Sequence, residues 1–387
     1  MAPYAAHRVR TLNFLLVASY PDSLLHFRGA LIDALIKKGL TVHVVAPNLV
    51  FDSLIASGLK KKGVVVHSVP MQRNGLNPIF DLATFFALLK LMRKIKPKYV
   101  LCYTIKPVIY GTLAAAAAKV PQRFALITGL GYAFSGQKQS IGLRTLLRKL
   151  LLKLYRFALR FSQGVIFQNP DDQALFQRLG LVCANAGVTV VNGSGVDISH
   201  YQQTTLPECV SFLLIARILG DKGVREYVEA ARVLKTRYPN LSFKLVGWID
   251  TNPDAVSQQE LDSWIESGTI QYLGKVSDIR PIVADSSVFV LPSYREGTPR
   301  TVLEAMAMGR PIITTDAPGC RETVVEGENG YLVPIKSVDE LVTAMESFIE
   351  TPSLIKVMGN KSREIAEMKY DVHKVNSVML KTMGIDE

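Results

Sequence analysis

Short apolar runs separated by helix-like stretches fill the first half of the chain. The runs that predict strands are rich in Val, Ile and Leu, and they are Leu12–Ser19, Thr41–Pro47, Val64–Val69, Tyr99–Thr104, Phe124–Thr128, Val165–Gln168 and Val188–Val191. Between them the apolar positions follow helical spacing, as in Phe27–Lys38 and Leu82–Ile95. Near-continuous apolar strands that alternate with helices indicate a parallel sheet covered on both faces, the doubly wound α/β arrangement.

The second half of the chain repeats this pattern. Its predicted strands are Phe212–Ala216, Phe243–Val246, Ile270–Leu273, Val288–Leu291, Ile312–Thr314 and Tyr331–Val333. The polar, glycine-containing stretch Asn192–Glu208 predicts a linker. We therefore expect an α/β protein with two doubly wound, Rossmann-like parallel-sheet domains at residues 1–195 and 196–370. A C-terminal helix over residues 371–387 is a candidate for crossing back to the first domain.

The net charge of +12 is distributed unevenly between the halves. Residues 1–200 hold 25 Lys and Arg against seven Asp and no Glu, a net +18, whereas residues 201–387 hold 20 against 26 acids, a net −6. A split of this size indicates that the halves face different partners. The basic half suits nucleic acid, anionic lipid or a phosphorylated substrate, and composition leaves these three open.

Cysteine spacing and the absence of long apolar stretches restrict the compartment. The four cysteines lie far apart, without a CxxC pair or a His cluster, which favours reduced thiols in a cytosolic protein over disulfides or zinc: Cys102, Cys183, Cys209 and Cys320. The first ten residues lack a signal-peptide pattern, and no apolar stretch reaches the roughly 20 residues of a spanning helix. We expect a soluble or peripheral protein.

The richest chemical signal follows the predicted strand Val288–Leu291 and runs from Ser293 to Pro311. Gly297 allows a tight turn, Thr298 is predicted to cap the next helix, and Pro299 suits the first helical position. Such a strand–loop–helix unit points free backbone N–H groups at the crevice where open α/β sheets bind ligands. The segment therefore predicts a ligand site.

Two carboxylates, Glu296 and Glu304, frame this segment eight residues apart. Carboxylates accept hydrogen bonds from sugar hydroxyls, so the spacing suits a donor sugar and a ribose of one extended ligand. A capped surface helix with two ordinary glutamates would show the same spacing. The turn and the cap favour the ligand site.

A second segment, Phe212–Gly223, carries two cations after a predicted strand. Arg217 leaves the end of the strand and Lys222 follows beside the glycine. Two fixed cations can neutralise a diphosphate leaving group, where negative charge grows in the transition state. Two solvated cations on a loop are the alternative. The chain has no Asp-x-Asp triplet, so we expect no diphosphate-bound metal, and these cations would take its place.

Together these segments resemble the donor-binding signature of the retaining GT-B glycosyltransferases of the family-4-like group, related to sucrose and glycogen synthases. The resemblance implies two Rossmann-like domains facing a central cleft. It also implies roles for the residues that match: Glu296, Gly297 and Thr298 on the donor sugar, Glu304 on the ribose, and Arg217 and Lys222 on the diphosphate.

Weaker signals extend the predicted site. Trp248 and Val276 follow strands at positions where similar enzymes contact the nucleoside, although Trp248 suits a partly buried core aromatic equally well. In the first domain, His26, Arg28 and Lys106 follow strands on the side where related enzymes hold the acceptor and its phosphates. A helix-capping loop explains His26 and Arg28 almost as well.

One feature of the family is missing. Many relatives carry a His after the fifth strand, where this chain has Ile127-Thr-Gly-Leu-Gly131, so that role cannot be carried over. If the reaction proceeds on one face of the donor and a donor phosphate oxygen takes the acceptor proton, no protein base is required. The resemblance thus implies a retaining, metal-independent transferase with a UDP-sugar as donor substrate and no cofactor.

The stretch Leu143–Phe161 has a basic amphipathic pattern. At about 100° per residue its cations fall on one half of the helical wheel and its apolar residues on the other. A basic amphipathic helix without acids is typical of contact with anionic lipid, and a core-packed helix with a solvated basic face is the alternative. The residues predicted to contact the membrane are Arg144, Arg148, Lys149, Lys153, Arg156 and Arg160.

The whole pattern resembles bacterial undecaprenyl-diphosphate-sugar α-1,3-N-acetylgalactosaminyltransferases of glycan and O-antigen assembly. The resemblance implies transfer of an N-acetylhexosamine such as GalNAc from a UDP-sugar to an undecaprenyl-diphosphate-linked saccharide. Such an enzyme would be cytoplasmic and peripheral on the inner face of the cell membrane. The alternatives are a UDP-sugar epimerase or hydrolase on the same fold, and a basic nucleic-acid-binding protein. Nucleic-acid binding is disfavoured because the aromatics show no stacking-platform pattern.

Overall fold

The computed structural model describes residues 12–49, 53–72, 77–129, 143–182, 187–250, 252 and 254–385, with the backbone alone described for residues 143–148. Contacts divide the chain into two compact units. The first comprises the chain up to Phe167, Gln173–Val190 and the residues from Asn376 onward, and the second comprises Gln168–Asp172 and Val191–Val375.

The first unit is built on a seven-stranded parallel sheet in the order β3-β2-β1-β4-β5-β6-β7. Its strands are β1 Asn13–Val17, β2 Thr41–Ala46, β3 Val65–Ser68, β4 Tyr99–Tyr103, β5 Gln122–Ile127, β6 Gly164–Phe167 and β7 Gly187–Val190. All residues of β4 are buried, as expected for a central strand covered on both faces.

Helices connect these strands. They are α1 Asp22–His26, α2 Gly29–Lys37, α3 Leu54–Lys61, α4 Pro78–Ile95, α5 Thr112–Ala117 and α6 Leu143–Leu159, with a π-helical turn at Pro107–Gly111. The predicted helix over Phe27–Lys38 corresponds to α2, and the short helix α1 precedes it. Two further helices, α7 Pro170–Arg178 and α14 Val372–Thr382, have residues in both units.

The second unit is built on a six-stranded parallel sheet in the order β10-β9-β8-β11-β12-β13. Its strands are β8 Ser211–Ile215, β9 Ser242–Val246, β10 Gln271–Tyr272, β11 Val288–Leu291, β12 Ile312–Thr315 and β13 Gly330–Val333. Its helices are α8 Val224–Arg237, α9 Gln258–Glu266, α10 Arg280–Ala284, α11 Arg300–Ala307, α12 Val338–Glu350 and α13 Ser353–Ile365.

The pleat of the second sheet explains its two apolar cores. Along β11, Val288 and Val290 join the core on one face, while Phe289 and Leu291 join the core on the other. A strand buried on both faces must be apolar at every position, which is the pattern that predicted these strands. The predicted fold class, two Rossmann-like parallel-sheet domains, is confirmed. Within the described ranges, every helix is too short or too polar to cross a membrane.

Candidate functional site

The predicted ligand segment begins where β11 ends. The β11–α11 loop, residues 292–299, lies against the turn that follows β8, and Gly223 of that turn has a φ of +69°. A Cβ at Gly223 would lie 2.1 Å from the carbonyl oxygen of Pro292, so only glycine fits there. The close approach brings the two segments singled out in the sequence to one place.

Glu296 and Lys222 meet in this contact. Lys222 Nζ lies 2.6 Å from Glu296 Oε1, and the two side chains are 12% and 18% exposed. The hydroxyl of the buried Ser293 donates to the same carboxylate oxygen at 2.9 Å. A carboxylate held by a cation and a hydroxyl has a fixed position, which suits a ligand-binding group.

Asp221, which precedes Lys222 in the chain, interacts electrostatically with the charges around it. Its pKa is raised mainly by burial, and the charges of Glu296 and Asp254 raise it further, while Lys222 and Arg217 lower it. Arg217 Nη1 lies 2.8 Å from Asp250 Oδ2, so this cation is also paired. The structure therefore places the three predicted catalytic residues in one electrostatic cluster, where acids already partner both cations.

The backbone of the β11–α11 loop is held by the segment that follows β12. The N–H of Glu296 donates to the carbonyl of Pro318 at 2.9 Å. Gly319 has a φ of +79°, and a Cβ there would lie 2.1 Å from the carbonyl oxygen of Glu296. These contacts fix the peptide groups on either side of the Glu296 side chain.

The predicted cap of α11 is wrong. The helix begins at Arg300, and Pro299 precedes it without any side-chain cap hydrogen bond. The Thr298 hydroxyl donates to the carbonyl oxygen of Gln168 at 3.0 Å, and the cap position belongs to Pro299. Pro299 has an extended backbone (ψ 113°), so the helix cannot include it.

Sequence reasoning missed a group of residues that holds the same loop. Asn169 Nδ2 donates to the carbonyl of Gly297 at 2.5 Å, and Arg295 forms an ion pair with the fully buried Asp172. Asn169 Oδ1 also accepts from the N–H of Asp172 at 2.8 Å, which caps the start of α7. The sequence Asn-Pro-Asp-Asp indicates the start of a helix. It does not indicate contact with a loop more than 120 residues later in the chain.

Glu304, the predicted ribose contact, is nearly buried. Arg300 Nε lies 2.7 Å from Glu304 Oε1, and burial together with Glu304 raises the pKa of Tyr201. The Glu304 side chain is 8% exposed, and Oε1 is occupied by the Arg300 guanidinium. A ribose hydroxyl would have to reach a largely enclosed carboxylate.

The two nucleoside candidates differ in exposure. Trp248 is 41% exposed and Lys275 Nζ lies 5.0 Å from its ring centroid, so the partly buried core interpretation does not hold. Val276 is half-buried and packs against the apolar core of the second unit. Trp248 thus presents an aromatic face, whereas Val276 offers mainly backbone.

The three candidates in the first unit lie in different settings. His26 ends α1 and is exposed, while Arg28 is 3% exposed with its guanidinium 5.2 Å from the ring centroid of Tyr103. Lys106 Nζ lies 2.6 Å from Asp81 Oδ1, and both side chains are largely buried. Lys106 is therefore already neutralised by an acid, which weakens its assignment to an acceptor phosphate.

The amphipathic stretch forms α6 as predicted. Lys149, Lys153, Arg156 and Arg160 are exposed, and the side chains of Arg144 and Arg148 lie outside the described residues. Tyr155, Ala158 and Leu159 pack into the core of the first unit. Three other apolar side chains remain exposed: Leu150, Phe157 and Phe161.

The cysteines described by the structure carry no site chemistry. Cys102 and Cys320 are buried, and burial raises the pKa of each thiol to about 12, so neither is a thiolate at neutral pH. Cys209 is exposed, and Cys183 lies outside the described residues. In the described ranges no group of three or more His, Cys, Asp or Glu side chains could hold a metal ion.

Comparison with known proteins agrees with the fold and the motifs. Residues 15–169 match the family described as glycosyl transferase 4-like, and residues 210–351 match glycosyl transferases group 1. Over 375 residues the chain is 30% identical to the N,N'-diacetylbacillosaminyl-diphospho-undecaprenol alpha-1,3-N-acetylgalactosaminyltransferase of Campylobacter jejuni, covering 93% of this chain and 95% of that protein.

Two further likenesses extend the comparison. The chain is 26% identical over 313 residues to the UDP-Gal:alpha-D-GlcNAc-diphosphoundecaprenol alpha-1,3-galactosyltransferase of Escherichia coli, covering 76% of this chain and 77% of that protein. Anabaena Alr3699/HepE, solved in complex with UDP, matches with a TM-score of 0.74 and 21% identity, covering 97% of this chain and 99% of that one.

The two parallel Rossmann-like sheets, with solved glycosyltransferase neighbours, define a GT-B protein. The chain belongs to the group 1, or family-4-like, glycosyltransferases, and the resemblance predicted from its motifs is confirmed.

Proposed function

We propose that this glycosyltransferase moves an N-acetylhexosamine, such as GalNAc, from a UDP-sugar to an undecaprenyl-diphosphate-linked saccharide. The product would serve bacterial surface-glycan or protein-glycan biosynthesis. The named substrates of the Campylobacter and Escherichia relatives support the acceptor class, and the UDP complex of the Anabaena structure supports the donor class.

One observation carries the proposal: Arg217, Lys222 and Glu296 form a single charge cluster at the ends of β8 and β11. The carboxyl ends of parallel strands are where open α/β sheets bind ligands. The two cations would meet the donor diphosphate, and Glu296 would accept hydrogen bonds from the donor sugar. The same arrangement supports Gly297 and Thr298 as backbone contacts of that sugar.

The chemistry proposed is transfer with retention. The bond between the anomeric carbon and the β-phosphate oxygen of the donor breaks, and the acceptor hydroxyl oxygen bonds to that carbon on the same face. The acceptor proton passes to a phosphate oxygen of the departing UDP, so no protein base is needed. Arg217 and Lys222 would stabilise the charge that grows on the diphosphate, without a metal and without a cofactor.

The acceptor side of the proposal depends on the first unit. The exposed cations of α6, Lys149, Lys153, Arg156 and Arg160, support contact with an anionic membrane surface. We propose a cytoplasmic enzyme, peripheral on the inner face of the cell membrane, that takes its acceptor from that surface. His26 is the exposed first-unit candidate for meeting the acceptor.

The test is a donor screen with purified protein, undecaprenyl-diphosphate-linked acceptors and a panel of UDP-sugars, with the product identified by mass. We expect Glu296→Gln to lower kcat by about 10²- to 10³-fold, because a neutral amide loses the fixed charge and its lysine partner. Glu346→Gln is the matched control, since Glu346 is also 18% exposed and paired with a cation, Arg237, elsewhere in the second unit.

The remaining outcomes separate the alternatives. Nuclear magnetic resonance of the product reports whether the anomeric configuration is retained, and inversion would contradict the mechanism. A chelator should leave the rate unchanged, whereas loss that a divalent cation restores would contradict metal independence. Donor turnover without an acceptor would favour the epimerase or hydrolase. Binding of DNA without sugar transfer would favour the nucleic-acid alternative.

A further inference from the structure

The outer face of α4 carries exposed apolar side chains along one row. Ile79, Leu82 and Phe86 are 77%, 56% and 56% exposed, and their spacing of three and four residues puts them on one side of the helix. The row continues with Lys90 and Arg93, which are also exposed. The helix face is therefore apolar over its first half and cationic over its second.

The opposite face of α4 already supplies the core contacts of the helix. Leu88 and Met92 are buried in the core of the first unit. Thr84, four residues before Leu88, is also buried. The exposed row is therefore not the side of α4 that packs into the core of the first unit. Neighbouring exposed apolar side chains bordered by polar residues are typical of interaction sites.

A groove joins this row to α6. It has a volume of about 490 Å³ and is lined by apolar side chains of α4, α5 and α6 together with Arg123 of β5. Phe85 lines the groove and its ring centroid lies 5.2 Å from that of the exposed Phe86. Phe157 and Phe161 line the other side, with ring centroids 5.3 Å apart. We call this surface the α4–α6 face: it comprises the exposed row of α4, the groove and the exposed edge of α6.

The charge around the α4–α6 face has one sign. Between residues 77 and 167 the chain has 15 Lys and Arg and a single acid, Asp81. That acid is buried and paired with Lys106, so it does not offset the exposed cations. A surface with exposed apolar side chains and exposed cations, built from a segment whose one acid is buried, is complementary to an anionic bilayer.

We propose that the α4–α6 face inserts into an anionic bilayer. Ile79, Leu82 and Phe86 enter the acyl-chain region, and the cations of α4 and α6 meet the lipid phosphates. This inference rests on the proposed function, since a membrane-linked acceptor requires the enzyme at the bilayer. It goes beyond that function by assigning α4, in addition to the basic helix α6, to the membrane contact.

The first test measures binding of the full chain to vesicles made of equal parts phosphatidylglycerol and phosphatidylcholine. Burial of a large apolar side chain is favourable enough that Leu82→Ser with Phe86→Ser should weaken partitioning by at least about tenfold. Leu54→Ser is the matched control, because Leu54 is 90% exposed on α3 of the same unit. Circular dichroism and the urea midpoint establish that each variant is folded.

The second test reports insertion directly. In a Cys183→Ser, Cys209→Ser background, Leu82→Cys and Leu54→Cys are each labelled with an environment-sensitive fluorophore. Insertion predicts a blue shift with the mixed vesicles for the label at position 82 and none for the label at position 54. If the label at position 82 shows no blue shift while the protein is bound to the vesicles, the proposal is overturned.

A third measurement separates failure of this inference from failure of the proposed function. If Lys149→Gln with Lys153→Gln weakens vesicle binding and the Leu82→Ser, Phe86→Ser variant does not, α4 is not inserted although the proposed function stands. If the native chain transfers sugar to detergent-solubilised acceptor but binds no vesicles, the insertion is wrong and the chemistry stands. Self-association that Leu82→Ser and Phe86→Ser abolish without vesicles would assign the face to a second copy and overturn the proposal.

Discussion

The β11–α11 loop of the second unit and the α4–α6 face of the first both concentrate charge, but they hold it differently. In the loop cluster, Glu296 is paired with Lys222 and Arg295 with Asp172, and these side chains are largely buried. On the α4–α6 face, Lys153 and Arg156 are exposed, and the sequence around them lacks acids.

The difference determines how each region should respond to substitution. Removing one partner of a buried ion pair leaves an uncompensated charge and typically costs about 3–5 kcal/mol. An exposed charge contributes about 0–1 kcal/mol and is screened by salt. Loss of one partner in the loop cluster should therefore lower stability or activity in one large step, whereas substitution of the exposed cations of the α4–α6 face should weaken membrane binding in small, additive, salt-dependent steps.

The largest expected effect on stability comes from substituting a buried cation of the second unit, which tests the difference between buried and exposed charge. Arg310 is 1% exposed and donates to six carbonyl groups, those of Thr204, Thr205, Val283, Ala284, Ser286 and Met308. Burial lowers the pKa of Arg310 to about 10, so it stays charged at neutral pH. Arg310→Met should lower the free energy of unfolding by about 3–5 kcal/mol, because it leaves those carbonyls without their donor.

Urea unfolding followed by tryptophan fluorescence checks this, since Trp248 and Trp264 are the chain's two tryptophans and both lie in the second unit. The control is Arg156→Met on α6, where an exposed cation should change the free energy of unfolding by less than about 0.5 kcal/mol. Equal midpoints for the two variants would break the contrast between buried and exposed charge.

An intermediate effect is expected at Asn169, which both caps α7 and donates to the carbonyl of Gly297. Asn169→Ser keeps a capping oxygen but removes the amide N–H that reaches the Gly297 carbonyl, so the loop should lose its fixed position. We expect kcat/KM for the donor to fall by about 10- to 100-fold, as for misplacement of a reacting group by a fraction of an ångström to an ångström.

Asn77→Ser provides the comparison, because Asn77 caps α4 in the first unit and makes no such second contact among those described. Detergent-solubilised acceptor keeps membrane binding out of the measurement. Activity of Asn169→Ser equal to that of Asn77→Ser would mean that the Asn169 amide does not position the loop.

The smallest expected effect concerns a polar pair of the first unit, the buried His43 and the half-buried His67. His43 Nδ1 lies 2.9 Å from His67 Nε2 on adjacent strands, and burial followed by the charge of His67 lowers the pKa of His43 to about 4. Burial, followed by the charge of Lys94, also lowers the pKa of His67. In the unfolded chain His43 titrates near 6.5, so between about pH 6.5 and 4 the unfolded state binds more protons.

The free energy of unfolding of the first unit should therefore fall by about 1–3 kcal/mol as the pH drops through that window. Above pH 6.5 this contribution should be present in full. Hydrogen exchange of peptides that cover β2 and β3 measures it. His43→Gln should flatten the dependence, and the exposed His26→Gln should not. A steep slope that survives His43→Gln would assign the sensitivity to other groups.

The elements were predictable because their signals are local. The near-continuous apolar run at β11, and the glycine and proline that follow it, identified a buried strand, a turn and a helix without any knowledge of the fold. The predicted start of α11 was one residue too early, because Thr298 donates to the Gln168 carbonyl, a distant partner that no local rule includes.

The arrangement of the site was not predictable in the same way. Glu296 and Lys222 were singled out separately, but their ion pair joins residues 74 positions apart. Exposure on α4 was also hidden, because apolar residues occur on nearly every side of that helix and the pattern alone does not say which side faces solvent.

The sequence by itself determined the two Rossmann-like sheets, the glycosyltransferase family and the identity of the motif residues, since these depend on side-chain type and short-range spacing. Only the tertiary structure decided that Glu296 is bound by Lys222, that Asn169 holds Gly297, and that α4 turns an apolar row outward. These features depend on which distant segments the packed sheets bring within a few ångströms, and short-range periodicity carries no information about that.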